Sequence, residues 1–303
     1  MKIRFLRNHE IDTEKWDNCI ARAVNGNITA YSWYLDIVNP SWSALVLDDY
    51  VAIMPLPMHE RYGYLFLITP FFWEESAVYS PIAPDSDLLQ KFSEILPKIF
   101  HYITFKADLP FLENKRFTCK HVSFHELDLV RPYKFTKASF EPQLIEILHV
   151  CKEKLFFRSE IMPSELLKVI DFGILPSERQ KLNILRKLLG TLLQRRALEI
   201  LGAYDEHNEM VAAFCIGKSH GRARLFFAWK RKQSDALYAF HGLINNYLQS
   251  NTLKTATLVL ADFGRQIGTE IAESFGASEF VYTFITDRRL SLIARFIKPD
   301  EQK

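Results

Sequence analysis

Several groups of residues in this chain have types and spacings that chemistry uses. Gly217-Lys218-Ser219-His220-Gly221 fits the Gly-x-Ser-x-Gly pattern of serine hydrolases. That pattern works only where a strand turns sharply into a helix and exposes the hydroxyl beside the helix N-terminus. Here strand-like runs, Met210–Gly217 and Arg222–Trp229, flank it on both sides, so it is expected to form a hairpin turn. Asp-Phe-Gly occurs at 171–173 and 262–264 without the glycine-rich loop and catalytic-loop aspartate that a kinase also needs. Cys119, His121 and His125 alternate and would share one face of a strand. Two imidazoles and a thiol are zinc ligands, but no fourth ligand is apparent and the spacing matches no recurrent zinc motif. No metal site is expected. Lys230-Arg231-Lys232 and Arg195-Arg196 are basic clusters that suit phosphate or RNA, a reading that predicts salt-sensitive binding to tRNA.

The chain as a whole narrows these options. Its 303 residues suit two domains rather than one, and 48% hydrophobic with 24% charged residues is ordinary globular composition. A net charge of +2 gives no global drive toward nucleic acid or an anionic membrane, and no DNA partner is expected. The four cysteines, Cys19, Cys119, Cys151 and Cys215, are scattered, as reduced thiols of a cytoplasmic protein are. The start, Met1-Lys2-Ile3-Arg4-Phe5, lacks a signal peptide's apolar core. No apolar run approaches the ~18 residues that span a bilayer, so no membrane insertion is expected.

The elements that would position a site follow from periodicity. Helices are expected near 12–23, 31–38 and 87–100, the last with Leu88, Phe92, Ile95, Leu96 and Ile99 at helical spacing. Strands are expected at 43–47, 51–56, 64–72, 102–106 and 117–127, with a hairpin at Tyr62-Gly63. The texture changes around Arg131-Pro132, dividing the chain into 1–131 and 132–303. Helices at 142–154, 164–172 and 178–196 follow, the last with a capping box between Ser177 and Gln180. Strands at 198–204, 210–217 and 222–229 lead to a helix at 235–249 and a strand at 255–261. The latter is apolar on both faces, as a central parallel strand should be. A helix near 266–275 and a strand near 279–285 close the chain.

Leu258-Val259-Leu260-Ala261-Asp262-Phe263-Gly264, Glu273-Ser274-Phe275-Gly276-Ala277 and Tyr282 resemble the C-terminal part of GNAT-type N-acyltransferases. The closest likeness is to the Fem-type branch, in which two GNAT-like domains stand in tandem and aminoacyl groups are transferred. Ala30-Tyr31-Ser32-Trp33-Tyr34-Leu35-Asp36 and Ala52-Ile53-Met54-Pro55-Leu56-Pro57 resemble the first repeat of a bacterial group within it. The resemblance implies an α/β fold with mixed sheets. An N-terminal GNAT-like domain would span 1–131 and a C-terminal one, with a helical lead-in, 132–303.

It also implies a site. A GNAT domain holds the CoA pyrophosphate on a glycine-rich loop after its fourth strand. The matching stretch is Trp229, Lys230, Arg231, Lys232, Gln233 and Ser234, which has no glycine and offers cations instead. Transfer needs a base for the amine and an acid near the leaving group. Asp262 matches the first and Tyr282 the second. Trp33, Tyr34 and Asp36 are candidates for a groove that takes the acceptor. The implied activity is N-acyl transfer from acyl-CoA or aminoacyl-tRNA to a small-molecule or peptide amine. The alternative is a non-catalytic protein that keeps the fold and binds a ligand or partner protein.

Overall fold

The computed structural model describes residues 2–111, 113–170, 176–231, 238–254, 257–260 and 269–289. In chain order its elements begin with β1 (Ile3–Arg7), α1 (Thr13–Arg22), α2 (Ser32–Val38), β2 (Ser43–Leu47), β3 (Ala52–Leu56), β4 (Met58–Arg61) and β5 (Tyr64–Ile68). Then come β6 (Ser76–Ala77), α3 (Ser86–Ile99), β7 (Tyr102–Asp108), β8 (Phe117–Asp128), α4 (Tyr133–Lys137) and α5 (Pro142–Lys154). They are followed by β9 (Phe156–Arg158), α6 (Pro163–Val169), α7 (Pro176–Gln194), β10 (Leu198–Tyr204), β11 (Met210–Ser219) and β12 (Arg222–Lys230). The last are α8 (Ala239–Asn251), β13 (Thr257–Leu260), α9 (Thr269–Ser274) and β14 (Ser278–Asp287).

The chain divides into two compact units. Unit 1 takes Met1–Val122, Leu175–Ile184 and Val281–Lys303; unit 2 takes Ser123–Ile174 and Leu185–Phe280. The chain therefore leaves unit 1 inside β8, rejoins it for the first part of α7, and comes back to it inside β14. A division at 131/132 follows the repeated order of elements, whereas compactness divides the chain within β8, α7 and β14.

In unit 1, β1, β2 and β3 form an antiparallel sheet. A second group starts with the β4–β5 hairpin, whose turn uses the positive φ of Tyr62 and Gly63. Pro57 ends β3, so the hairpin's first strand is the short β4 rather than the run at 51–56. Helix α3 carries the chain over to β7, which lies parallel to β5 with Phe66 opposite Tyr102. Asp85 caps α3 by accepting from Leu88 N at 2.8 Å, and Phe92 and Leu96 face a core with Leu67, Ile103, Phe105 and Ile285. The second half of β14 pairs antiparallel with β7, Thr283 opposite Ala107. It ends on Asp287, whose fully buried carboxylate accepts from Arg116 Nε at 2.9 Å and from Arg289 Nε and Nη2 at 3.0 and 2.8 Å.

Unit 2 repeats the scheme. The β11–β12 hairpin leads through α8 to β13, which lies parallel to β12 with Arg222 opposite Thr257 and Leu225 opposite Leu260. β10 and β9 extend the sheet beyond β11, and the second half of β8 pairs antiparallel with β13. Helix α8 buries Phe240, Leu243, Ile244, Tyr247 and Leu248, one stripe at helical spacing. Gly276 closes α9 in a left-handed cap: its φ is +71°, Gly276 N bonds Glu273 O at 2.7 Å and Ala277 N bonds Ala272 O at 3.3 Å. A Cβ there would fall 2.8 Å from Ser139 Oγ and 3.1 Å from Ser139 O. Gly276→Ala is expected to destabilise the protein by about 2 kcal/mol, from left-handed strain plus this crowding. Urea unfolding measures it, and a loss below about 0.5 kcal/mol would contradict the assignment.

Two expectations need correction. Ser177 cannot cap α7, because the helix already begins at Pro176 and Ser177 lies within its first turn. The segment after Pro132 holds a short helix, α4, which no pattern announced. Among the described residues no helix is long and apolar enough to cross a membrane.

Candidate functional site

The candidate site begins at the C-terminal end of the described β12–β13 pair. That parallel pairing is described as far as Leu225 and Leu260, and β12 continues through Phe226–Lys230. Opposite that point the β11–β12 register shifts between Cys215 and Ile216, so Phe226 is the extra residue of a bulge. The bulge reverses the alternation of side chains. Ala223 and Leu225 face the α8 core before it, and Ala228 faces the same core after it. Beyond the bulge, alternate residues turn their N–H and C=O groups away from β11. On that side β13 is described only as far as Leu260.

The same phase reversal puts Lys230 on the α8 side, its Nζ 5.4 Å from the Phe240 ring centre. Nearby His241 is held below the usual imidazole range, first by burial and then by the Lys230 charge. Trp229, half-buried, points to the opposite face and pairs with Ala213. Arg231 is already matched by carboxylates: Nη2 lies 2.8 Å from Asp205 and Nη1 2.9 Å from Glu209. Asp205 sits in the β10–β11 turn and accepts from the backbone of Glu209 and His207 as well as from Arg231, which together hold it below the usual carboxylate range. Lys232, Gln233, Ser234 and Asp262 lie outside the described residues.

Tyr282 belongs to unit 1, where it stands one residue beyond the Thr283–Ala107 pair at the end of β7. Its ring is buried, and Lys106 Nζ lies 3.3 Å from its hydroxyl and 5.3 Å from the ring centre. Asp108, at the end of β7, is raised above the usual carboxylate range by burial. Burial first, and then the charges of Glu75 and Asp108, push the Tyr79 phenol well up. In this unit the parallel pair ends after Ile68 and Thr104, and its own chain fills the gap. Thr69 N bonds Thr104 O, Thr69 Oγ1 accepts from Lys106 N, and β6 pairs with Ala107 and Asp108. Of the expected acceptor residues, Tyr34 is a core side chain whose hydroxyl donates to Phe72 O at 2.8 Å. Asp36 accepts from Trp42 Nε1 and Asn8 Nδ2, and Trp33 is half-buried and stacked on Tyr31.

Sequence reasoning passed over Lys106, Asp108 and the bulge at Phe226, and it set His125 aside with the zinc ligands. His125 is buried opposite Leu260, at the end of β13, and its Nε2 lies 4.0 Å from Glu273 Oε1 and makes no hydrogen bond. Cys119, by contrast, donates its Sγ–H to Phe111 O. Among the described residues no cluster of histidine, cysteine, aspartate and glutamate is placed to hold a metal ion. Ser219 sits at the exposed tip of the β11–β12 hairpin, directly opposite Arg222, with His220 and Gly221 at positive φ. It is a turn residue, not a hydrolase elbow.

No family model matches the chain, and no curated protein matches its sequence. Solved structures do share its fold. FemX superposes with a TM-score of 0.59 over 96% of this chain and 98% of that one, at 9% identity. A conserved protein of unknown function from Bacteroides thetaiotaomicron gives 0.57 over 94% and 99%, at 11% identity. L-PGS from Bacillus licheniformis gives 0.51 over 94% and 95%, at 11% identity. The chain thus shares the α/β fold of FemX.

Proposed function

We propose that this protein is an N-acyltransferase that works in the cytoplasm, with an acyl-CoA or aminoacyl-tRNA donor and a small-molecule or peptide amine as acceptor. The observation that carries this reading is the bulge at Phe226, which turns alternate backbone groups of β12 away from β11 next to a cation, Lys230, at the start of the loop to α8. Backbone donors so turned are proposed to hold an acyl carbonyl as it develops negative charge. The amine nitrogen attacks the carbonyl carbon, and the C–S or ester C–O bond breaks. The amine's surplus proton passes to a base, and the departing thiolate or alkoxide takes a proton from an acid. Asp262, two residues beyond the end of β13, is the proposed base and Tyr282 the proposed acid. Trp229 and Lys230 are proposed to flank the donor, with Lys232, Gln233 and Ser234 completing its loop, and Trp33 to face the acceptor. The proposed repeats divide at 131/132.

One observation favours a non-catalytic binding protein on the same fold: Arg231 is held by two carboxylates and so brings no unmatched charge to a phosphate. A single experiment separates the readings. The protein is unfolded thermally with and without acetyl-CoA, longer acyl-CoAs, free CoA and charged tRNA. A donor at 100 times its dissociation constant adds about 2.7 kcal/mol of stability, which is visible as a raised melting temperature. Lys230→Glu should weaken that donor by about tenfold, since a repulsive charge replaces an attractive one. No shift with any donor would sink the transferase reading and leave the binding protein.

A further inference from the structure

Unit 2 has a cavity of about 380 Å³ on the flank of α8, within the ~300–1,000 Å³ span usual for small-ligand pockets. It starts one turn into α8, at Gly242, and follows the helix to Gln249, a distance of ~10 Å at 1.5 Å per residue. Its charge is one-sided. Lys137 of α4 and Lys152 of α5 line it, and no carboxylate does. Among the described residues neither lysine has an ion-pair partner.

The polar wall is oriented. Tyr133 donates its hydroxyl to Asn245 Oδ1 at 2.7 Å and accepts from Gln249 Nε2 at 3.2 Å. This leaves the NH2 of Asn245 and the carbonyl of Gln249 uncommitted, one donor and one acceptor on the same helix face. Leu148 and Phe157 supply an apolar floor. Gly242 lets that floor come close, because a Cβ there would collide with the Phe157 ring. A planar base can lie on such a floor. An amide donor and acceptor complement the N7 and N6-amino group of adenine. Two unmatched ammonium groups suit a phosphate.

We propose that this cavity binds an adenosine nucleotide, its base against the α8 amides and its phosphate between Lys137 and Lys152. The choice of adenosine rests on the acyl-transfer reading, because CoA and a tRNA 3′ end both carry an adenosine phosphate. The cavity lies on α8, the helix that follows β12 in the chain.

The test is calorimetric titration of the full chain with AMP, ADP and inosine monophosphate, followed by competition with CoA and with uncharged tRNA. AMP and ADP are expected to bind, with inosine monophosphate weaker because it lacks the amino group. Lys137→Gln/Lys152→Gln is expected to lose about tenfold in affinity with an unchanged melting temperature. Competition by CoA alone identifies a CoA donor, and competition by tRNA alone an RNA-borne one. Absence of AMP and ADP binding at millimolar concentration overturns the site, as does equal binding by the double variant, even if acyl transfer is found by other means. Binding through the lysines that neither CoA nor tRNA disturbs leaves the site standing and removes its support from the transferase reading.

Discussion

Asp287→Ala is expected to cost unit 1 about 3 kcal/mol, the lower end for breaking a buried ion pair. The lower end applies because Arg289 reaches water, its side chain being 52% exposed, while Asp287 is fully buried. The loss has two parts. Arg116, whose guanidinium also donates to Phe100 O and His101 O behind α3, would stay partly buried without its counter-charge. The tie between the end of α3 and the end of β14 would go with it. Asp287→Asn keeps the shape and isolates the charge. Burial alone would raise the Asp287 carboxyl, but the hydrogen bonds from Arg289 and Arg116 outweigh it and hold the group below its usual range. A depressed carboxylate stabilises the fold above the unfolded value, about 3.9, and that contribution fades as pH falls from there through the lower folded value. The gap between wild type and Asp287→Asn should therefore be full at neutral pH and shrink below about pH 4. Tryptophan fluorescence can follow it, because Trp16, Trp33, Trp42 and Trp73 lie in unit 1 and only Trp229 in unit 2. A gap that is constant from pH 7 to about pH 3 would refute the linkage.

Trp16→Ala should cost about 4 kcal/mol, within the range for deleting a buried aromatic side chain. Trp16 is fully buried, packs edge-on against Trp42 at 4.8 Å and donates its indole N–H to Ala30 O at 2.8 Å. Alanine leaves a void and an orphaned carbonyl directly before Tyr31, which opens α2. Trp16→Phe refills most of the void but not the hydrogen bond, and should cost about 1–2 kcal/mol. Urea unfolding of both variants checks the order. A phenylalanine variant as unstable as the alanine one would mean that the hydrogen bond, not the packing, dominates.

These side chains show why parts of the molecule were legible in sequence and others were not. Helix α3 could be read because Phe92 and Leu96 repeat at helical spacing, and β13 because Leu258, Val259 and Leu260 form an unbroken apolar run. Both hairpin turns could be read from Gly63 and Gly221. β1, β4 and β9 could not. They are short, and their strand state depends on partners far along the chain, as Phe157 depends on Ala203. The site was harder. The order of β11, β12, α8 and β13 could be read, but the bulge at Phe226 sits inside Leu225-Phe226-Phe227, where no glycine or polar residue marks it. Tyr282 was read as part of the last strand, but that strand's partner could not be read: β14 pairs its second half with β7, a strand 176 residues upstream of Thr283.

That pairing has a consequence for synthesis. Residues 281–287 complete the sheet edge of β7 in unit 1, yet they are made after all of unit 2. As the chain emerges from the ribosome, β7 waits with one row of N–H and C=O groups unpaired while all of unit 2 is translated. An open strand edge is a template for pairing with other chains, and long-range closure is slow. The N-terminal half thus cannot complete its fold as it is made. Its last strand arrives only after the other unit has been threaded through, which makes the period of translation, more than the finished fold, the protein's point of exposure to aggregation and to chaperones.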